Sequence, residues 1–230
     1  MVDLFPEGFE EASAAGGVEL AAYSRTVPAV RLAELGPVTA EAVAGGWEDA
    51  WKRFHRPVRV GPLWIVPPWE RADDEAISVV IDPGQAFGTG SHPTTRLCLE
   101  LLLACNRGAL LDLGCGSGVL SIAAAKLGYE PVVALDSDPA AIEATRANAT
   151  ANDVEVDVRK SDARADFLPR TDVAVANIDL GVIENVADRV PAPLLIASGY
   201  LVSQRPTMLN RERRERRELD GWAADLFAAG

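Results

Sequence analysis

From Ile77 onward, short apolar runs alternate with alanine-rich amphipathic stretches. This rhythm predicts strands near Ile77–Ile81, Ala109–Leu113, Pro131–Asp136, Val154–Val158, Asp172–Asn177 and Leu194–Ser198. Between them it predicts helices over His92–Ala104, Gly118–Leu127, Pro139–Ala151 and Leu180–Arg189. This alternation of strands and helices argues for an α/β layering, with one mostly parallel sheet covered by helices on both faces. The tail RERRERRELDGWAADLFAAG reads as an arginine-rich helix or as a hairpin turning at Asp220-Gly221, and the Asp-Gly pair favours the hairpin. The preceding SQRPTMLN holds Pro206 and has room for a short helix only.

The pattern is weaker before Ile77. Residues 1–35 are interrupted by Gly8, Gly16, Gly17 and Pro28, and a Gly36-Pro37 turn follows. The next stretch concentrates Trp47, Trp51, Trp64 and Trp69 beside Lys52, Arg53, His55 and Arg56, as expected of a linker whose aromatic groups pack onto the main domain. We therefore expect three regions: 1–36 as an appendage, 37–76 as a linker and packing segment, and 77–230 as the main domain.

With 230 residues the chain suffices for one substantial core and a small appendage, but not for two full domains. No run of apolar residues approaches the length of a membrane span, so no membrane partner is expected. The formal net charge of −12 makes the average surface repel a polyanion, so direct nucleic-acid binding is not required of it. Asp3, Glu7, Glu10, Glu11 and Glu19 stand where a secretory signal would be basic and then apolar, which points to the cytoplasm. Cys98, Cys105 and Cys115 cannot build a disulfide framework, and with His55 and His92 they have no metal-ligand spacing, so no metal is expected. Cys98 and Cys105, seven residues apart, read as small hydrophobes on one helix face.

The sharpest chemical signal is ALLDLGCGSGVLSIAAAKLG, a strand running into a glycine-rich turn and then a helix. Gly114, Gly116 and Gly118 admit unusual backbone angles and let a ligand approach the main chain. Asp112, just before the turn, can accept a hydrogen bond or balance a cationic cofactor. The next strand ends in VVALDSDP, which places Asp136 where a carboxylate meets a nucleoside ribose. A nicotinamide dinucleotide is disfavoured, because GCGSG is not the G-x-G-x-x-G spacing. Upstream, DPGQAFGTGSHPTT combines a glycine-rich loop with a helix start capped by Ser91. There Phe87 can cover an apolar cofactor surface, and Thr89 and Gly90 can offer donors to a carboxylate. His92 reads as a scaffold residue. Asn177 closes the strand in AVANIDLG, where its side-chain carbonyl can orient an amine, or it simply caps the strand. Asp162 in RKSDAR is a partner for the cofactor base or an ordinary loop carboxylate.

LDLGCGSG, ALDSDP and Asn177 together resemble class I S-adenosylmethionine-dependent methyltransferases. DPGQAFGTGSHPTT and WEDAWKRFHRPVRVGPLWIVPPWE are similar, more narrowly, to the bacterial family that methylates large-ribosomal-subunit protein eleven. The resemblance covers roughly Gly45 to Gly199, with a weaker match at ELDGWAADLF. It implies a Rossmann-like methyltransferase sheet, mostly parallel with an antiparallel C-terminal strand, plus a short N-terminal appendage. It also implies transfer of the S-adenosylmethionine methyl group, leaving S-adenosylhomocysteine, to lysine or the N-terminal amine of a ribosomal protein. Asp136 would then bind the ribose and Asp162 meet the adenine, while the Gly114–Gly118 turn surrounds the methionine portion. Phe87, Thr89 and Gly90 would lie against the cofactor and Asn177 near the acceptor amine. Where the family often has a proline just after this segment, Val182 stands here. The matching LFPEGFEEA lies so close to the start that residues 1–36 would form a shortened substrate-recognition region.

No nucleophilic cysteine or metal is needed, because the chemistry is orientation of an amine for in-line attack. The alternatives are a methyltransferase for another protein or a small molecule, and a noncatalytic S-adenosylmethionine-binding module. The cluster Arg211, Arg213, Arg214, Arg216 and Arg217 alternates with three glutamates and reads as a solvated face, or as a docking aid for a ribosomal partner. Oligomeric state has no signature in the sequence.

Overall fold

A computed structural model of the chain describes residues 10–14, 17–21, 56–71, 76–82, 90–208 and 210–230. The backbone divides into two compact units, Met1–Asp49 and Ala50–Gly230. In the first, β1 (Glu10–Ala14) and β2 (Gly17–Ala21) form an antiparallel hairpin that pairs Glu10 with Ala21 and Ala14 with Gly17.

The second unit begins with β3 (Val58–Val60), β4 (Leu63–Val66) and β5 (Ile77–Val80). Then come α1 (Pro93–Ala104), β6 (Leu110–Leu113), α2 (Val119–Lys126), β7 (Val132–Asp136), α3 (Pro139–Ala151) and β8 (Asp157–Lys160). It ends with β9 (Val173–Asn177), α4 (Leu180–Val186) with a 3-10 turn at Ala187–Arg189, β10 (Leu194–Leu201), β11 (Arg211–Leu219) and β12 (Trp222–Ala229). Seven strands form one sheet in the order β11-β12-β10-β9-β6-β7-β8. Strands β10, β9, β6, β7 and β8 run parallel, and β12 is antiparallel to both β10 and β11.

The period-two alternation of the strands divides their side chains between two cores. Val173 and Val175 of β9 and Ile196 of β10 face the core built on α1 and α2, with Leu97, Leu101 and Ile122. Ala174, Ala176, Leu195 and Ala197 face the other core, with Ile183 and Val186 of α4. This is the doubly covered, mostly parallel sheet that the pattern predicts. The Asp-Gly hairpin forms as well: Asp220 and Gly221 both take positive φ, 49° and 82°, as a primed two-residue turn demands.

Four details differ from the sequence reading. Strand β5 is not in the main sheet; both edges of β6 are taken by β7 and β9, and β5 instead pairs in parallel with β4. Strands β3 and β4, an antiparallel pair in the tryptophan-rich stretch, were not predicted at all. Strand β8 starts at Asp157, later than expected, because Asp153 (φ 55°) and the Val154 N–H, bonded to Ala149 O at 3.2 Å, still belong to the exit from α3. Residues 204–208 hold no short helix; the Val202 and Gln204 carbonyls instead accept from the Arg216 guanidinium at 2.9 and 3.2 Å.

That guanidinium also corrects the reading of the arginine cluster as a solvated face. Arg211 donates to the carbonyls of Ala187, Val190 and Ala192, and Arg216 Nη1 pairs with Asp225 at 2.9 Å. Only Arg213 and Arg214 of the five are exposed. Asp225 is fully buried on β12; it also accepts from the Tyr200 hydroxyl at 2.8 Å, and Arg213 Nε stands 3.7 Å from its other oxygen. Burial and the Asp225 charge push the Tyr200 phenol far above its ordinary pKa, so it remains a donor. Removing Arg216 leaves a buried charge with a distant partner. Arg216→Ala is expected to lower unfolding free energy by about 3 kcal/mol in urea titrations, against less than about 0.5 kcal/mol for the exposed Arg214→Ala.

Candidate active site

The carboxyl ends of β6, β7, β8 and β9 open along one rim of the sheet, where ligands bind in open α/β folds. The turn leaving β6 takes positive φ at Gly114 (73°), Gly116 (55°) and Gly118 (83°). The reason is space as well as angle. A Cβ on Gly114 would lie 2.4 Å from Ile178 Cγ2, and one on Gly118 would lie 2.8 Å from Thr145 Cγ2. The turn is sewn to β7 by Gly114 N–H and Cys115 N–H, which donate to Leu135 O at 2.8 and 3.1 Å. From α3, the Thr145 hydroxyl donates to Gly116 O at 2.9 Å.

Asp136 ends β7 beside this turn. Its Oδ2 accepts from Gly116 N–H and its Oδ1 from Asp138 N–H, each at 3.0 Å. A carboxylate offers about four lone-pair sites, so half of them stay available for outside donors. Asp112 lies beneath the turn at 1% exposure. Its Oδ2 accepts from the Ser121 hydroxyl at 2.5 Å, whereas its Oδ1 is buried without a hydrogen-bond partner. Burial raises the Asp112 pKa to about 6; the Ser121 hydrogen bonds oppose that rise, and the nearby Asp136 charge adds to it. A buried acceptor in this condition suits a neighbouring positive charge, which would restore what desolvation removed.

Asn177 ends β9, two strand spacings or about 10 Å from β7 across β6. Its Nδ2 donates to Thr95 Oγ1 in the first turn of α1 at 3.4 Å, which leaves the side-chain carbonyl to face elsewhere. Helix α1 is capped by His92 and not by Ser91, because Pro93 takes the first helical position and His92 Nδ1 accepts from Thr94 N–H at 3.3 Å. The His92 ring also meets Trp222 edge-on at 4.7 Å, and burial lowers its pKa, favouring the neutral ring that can cap. Gly90, just before, is buried with φ 83°, and a Cβ there would meet Ile65 Cγ2 at 2.4 Å.

Asp162 follows β8. Ser161 N–H donates to Asp136 O at 2.8 Å, which brings this segment next to Asp136. Its carboxylate forms a fork with Arg164, two contacts of 3.0 Å, and that guanidinium holds the carboxyl below the ordinary carboxylate range. Phe87 and Thr89 lie outside the described residues. The structure thus sets Gly114, Gly116, Gly118, Asp112, Asp136, Asp162 and Asn177 along a single rim. A separate concavity of about 910 Å³, lined by Tyr129, Val132, Arg146, Val154 and Val158, lies at the amino ends of β7 and β8, away from these groups.

A sequence profile described as ribosomal protein L11 methyltransferase (PrmA) matches residues 24–220. The chain belongs to the PrmA family. It is 37% identical over 196 residues to the ribosomal protein L11 methyltransferase of Thermoanaerobacter pseudethanolicus, covering 78% of this chain and 64% of the relative. It is 46% identical over 171 residues to that of Pseudomonas paraeruginosa, covering 69% and 57%. The crystal structure of ribosomal protein L11 methylase from Lactobacillus delbrueckii subsp. bulgaricus superposes with a TM-score of 0.67 at 26% identity, covering 76% of this chain and 98% of that one. The chain spans about 57 to 64% of the length of these two curated relatives. As in the PrmA structure it matches, the architecture is the class I Rossmann-like methyltransferase fold.

Within this PrmA fold, sequence reasoning missed the groups that hold the named ones in place. Thr95 and Thr145 were unremarked, and so was Gly199. In β10 that glycine takes φ 106° at a bulge, and a Cβ there would sit 2.1 Å from Ile178 O. Ile178 is thus confined between Gly114 and Gly199, and it directly follows Asn177. A glycine inside an apolar strand run was the available signal for a bulge or a close approach. Gly199→Ala is expected to lower unfolding free energy by more than about 2 kcal/mol in thermal or urea denaturation, combining left-handed strain with a backbone collision. Gly128→Ala, in open space at φ 89°, should cost less than that because it suffers the strain alone.

Proposed function

We propose that this protein transfers the methyl group of S-adenosylmethionine to amines of a large-subunit ribosomal protein in the cytoplasm, at lysine side chains and the N-terminal amine, releasing S-adenosylhomocysteine. The acceptor protein is the one for which the relatives are named, L11. One observation carries the reading: the PrmA match takes in the glycine turn, Asp136 and Asn177, which the fold sets on one rim. Residues 77–230 serve as the methyltransferase domain, and residues 1–36 contribute to substrate recognition.

The cofactor would supply an electrophilic methyl group on a positively charged sulfonium, already activated for attack. The buried, unpartnered Asp112 Oδ1 is the feature of this structure that fits such a cation. Around it the division of labour follows the family resemblance. The Gly114–Gly118 turn admits the methionine portion, and the two free lone-pair directions of Asp136 accept ribose hydroxyls. Asp162 would meet the adenine region, and the family resemblance assigns Phe87, Thr89 and Gly90 to the cofactor as well. Asn177, its amide committed to Thr95, turns its carbonyl to hold the acceptor amine. A lysine ammonium loses its proton more readily once desolvated in this crevice, since burial disfavours the charged form.

Incubating the purified protein with cell extract and methyl-labelled cofactor, followed by mass spectrometry, is expected to label L11 on amine positions. Label confined to another protein or to small metabolites would replace the acceptor, and cofactor binding without label would leave a noncatalytic module. Asn177→Ala should lower kcat about 100-fold while S-adenosylhomocysteine affinity stays within about twofold.

Asp112 adds a pH signature. With its pKa near 6 in the free protein, the carboxyl is protonated below that pH, and a cation seated beside it favours the ionised form. Binding below pH 6 therefore expels a proton. Affinity for S-adenosylmethionine should rise by up to about tenfold per pH unit as pH approaches 6 from below, and level off above it. Calorimetry in buffers of different ionisation enthalpy checks the proton count, and Asp112→Asn should flatten the profile.

A further inference from the structure

Two asparagines four residues apart, Asn148 in the last turn of α3 and Asn152 at its C-cap, are 4% and 5% exposed. Buried amides are costly unless every polar atom is paired, and these are paired in an unusual way. Asn152 Oδ1 accepts from Val80 N–H at 2.8 Å while its Nδ2 donates to Val80 O at 2.6 Å. It thereby takes both main-chain groups of one β5 residue, as a neighbouring strand would. Asn148 Oδ1 accepts from Asp82 N–H, two residues further along the same edge, at 3.1 Å. The spacing matches: two residues of strand advance about 6.6 Å and four residues of helix about 6 Å. The second half of the Asn148 amide does something else. Its Nδ2 donates to Ser117 O at 2.9 Å, inside the glycine turn between Gly116 and Gly118.

We propose that Asn148 is a positioning residue for the cofactor seat, its single planar amide fixing the end of β5 and the glycine turn relative to one another, while Asn152 anchors β5 alone. The proposal rests on the cofactor reading given above. Only a primary amide serves here, because the group must present an acceptor to Asp82 N–H and a donor to Ser117 O from one rigid plane. The same helix reaches the turn a second time through Thr145, one turn before Asn148, so α3 sets the turn from two successive positions on one face.

The test compares Asn148→Ala, Asn148→Asp and Asn152→Ala with the unaltered full chain, by calorimetric titration of S-adenosylhomocysteine and by thermal unfolding. Asn152→Ala should lose at least as much stability as Asn148→Ala, since Asn152 makes three side-chain hydrogen bonds, the third from Nδ2 to Asn148 O at 2.8 Å, and Asn148 makes two. Only the Asn148 variants should lose cofactor affinity, by roughly five- to tenfold, the worth of one buried hydrogen bond. Asn148→Asp is nearly isosteric and keeps the acceptor for Asp82, so it separates the loss of the Ser117 arm from general loosening, and it covers the case where Asn148→Ala does not fold. Amide hydrogen exchange across Cys115–Gly118 should quicken in the Asn148 variants and not in Asn152→Ala. Unchanged affinity in both Asn148 variants would overturn the proposal alone, as would an equal loss in Asn152→Ala. If the unaltered protein binds no S-adenosylhomocysteine, the cofactor reading fails and the proposal with it.

Discussion

The turn from Gly114 to Gly118 must follow a backbone path open to glycine, and the space where its side chains would lie is already filled. Ile178 occupies the position of a Gly114 side chain, and Thr145 that of Gly118. The turn is therefore the meeting point of three chain segments that are far apart in sequence. Strand β7 takes its N–H groups, α3 holds its carbonyls at Gly116 and Ser117, and the residue after Asn177 presses on its Cα. Moving any of these moves the turn. Rigid placement of this kind costs conformational entropy at the time of folding, and in exchange a ligand needs to order little.

Charge follows the same geometry. Asp136 is half-buried and already accepts from two N–H groups, whereas Asp112 is buried with one oxygen unmet. The two carboxylates share one neighbourhood but sit in different states, one ready to accept further donors and the other short of a positive charge. The buried acid of the hairpin, Asp225, also has one oxygen without a hydrogen bond, but its charge is paired with Arg216 at 2.9 Å, a partner that Asp112 lacks among the described residues. That contrast separates a carboxylate that braces the fold from one that leaves an interaction open.

Local patterns made the parallel sheet, its helices and the Asp-Gly hairpin legible in the sequence, because each depends on periodicity or turn chemistry within a few residues. The glycine turn was legible for the same reason. What was not legible depends on distant partners. Nothing near Ile77 indicates that both edges of β6 are occupied, so β5 was placed in the wrong sheet. Arg211 and Arg216 look like surface charges until the loops around Val190 and Val202 bring carbonyls to them. Asn148 and Asn152 lie in and at the end of an ordinary alanine-rich helix, and their partners at Asp82 and Val80 are 66 and 72 residues away.

The site residues inherit the same division. Asp136 and Asn177 could be placed by position, since the end of a parallel strand is where such folds expose side chains to ligands. Their orientation could not, because it is set by Gly116 N–H for one and by Thr95 for the other, neither of which neighbours them in the chain. Gly199 shows why the difference matters. Its missing side chain admits the Ile178 carbonyl, and Ile178 N–H in turn donates to Ser198 O at 3.1 Å, so β10 meets the backbone just after Asn177 on both sides of one residue. An asparagine at a strand end is common, but one whose following residue is wedged between a glycine of the turn after β6 and a glycine of β10 has little freedom to turn away. The Asn177 side of the crevice is therefore built as firmly as the Asp136 side, and through the same residue, Ile178, that touches the glycine turn.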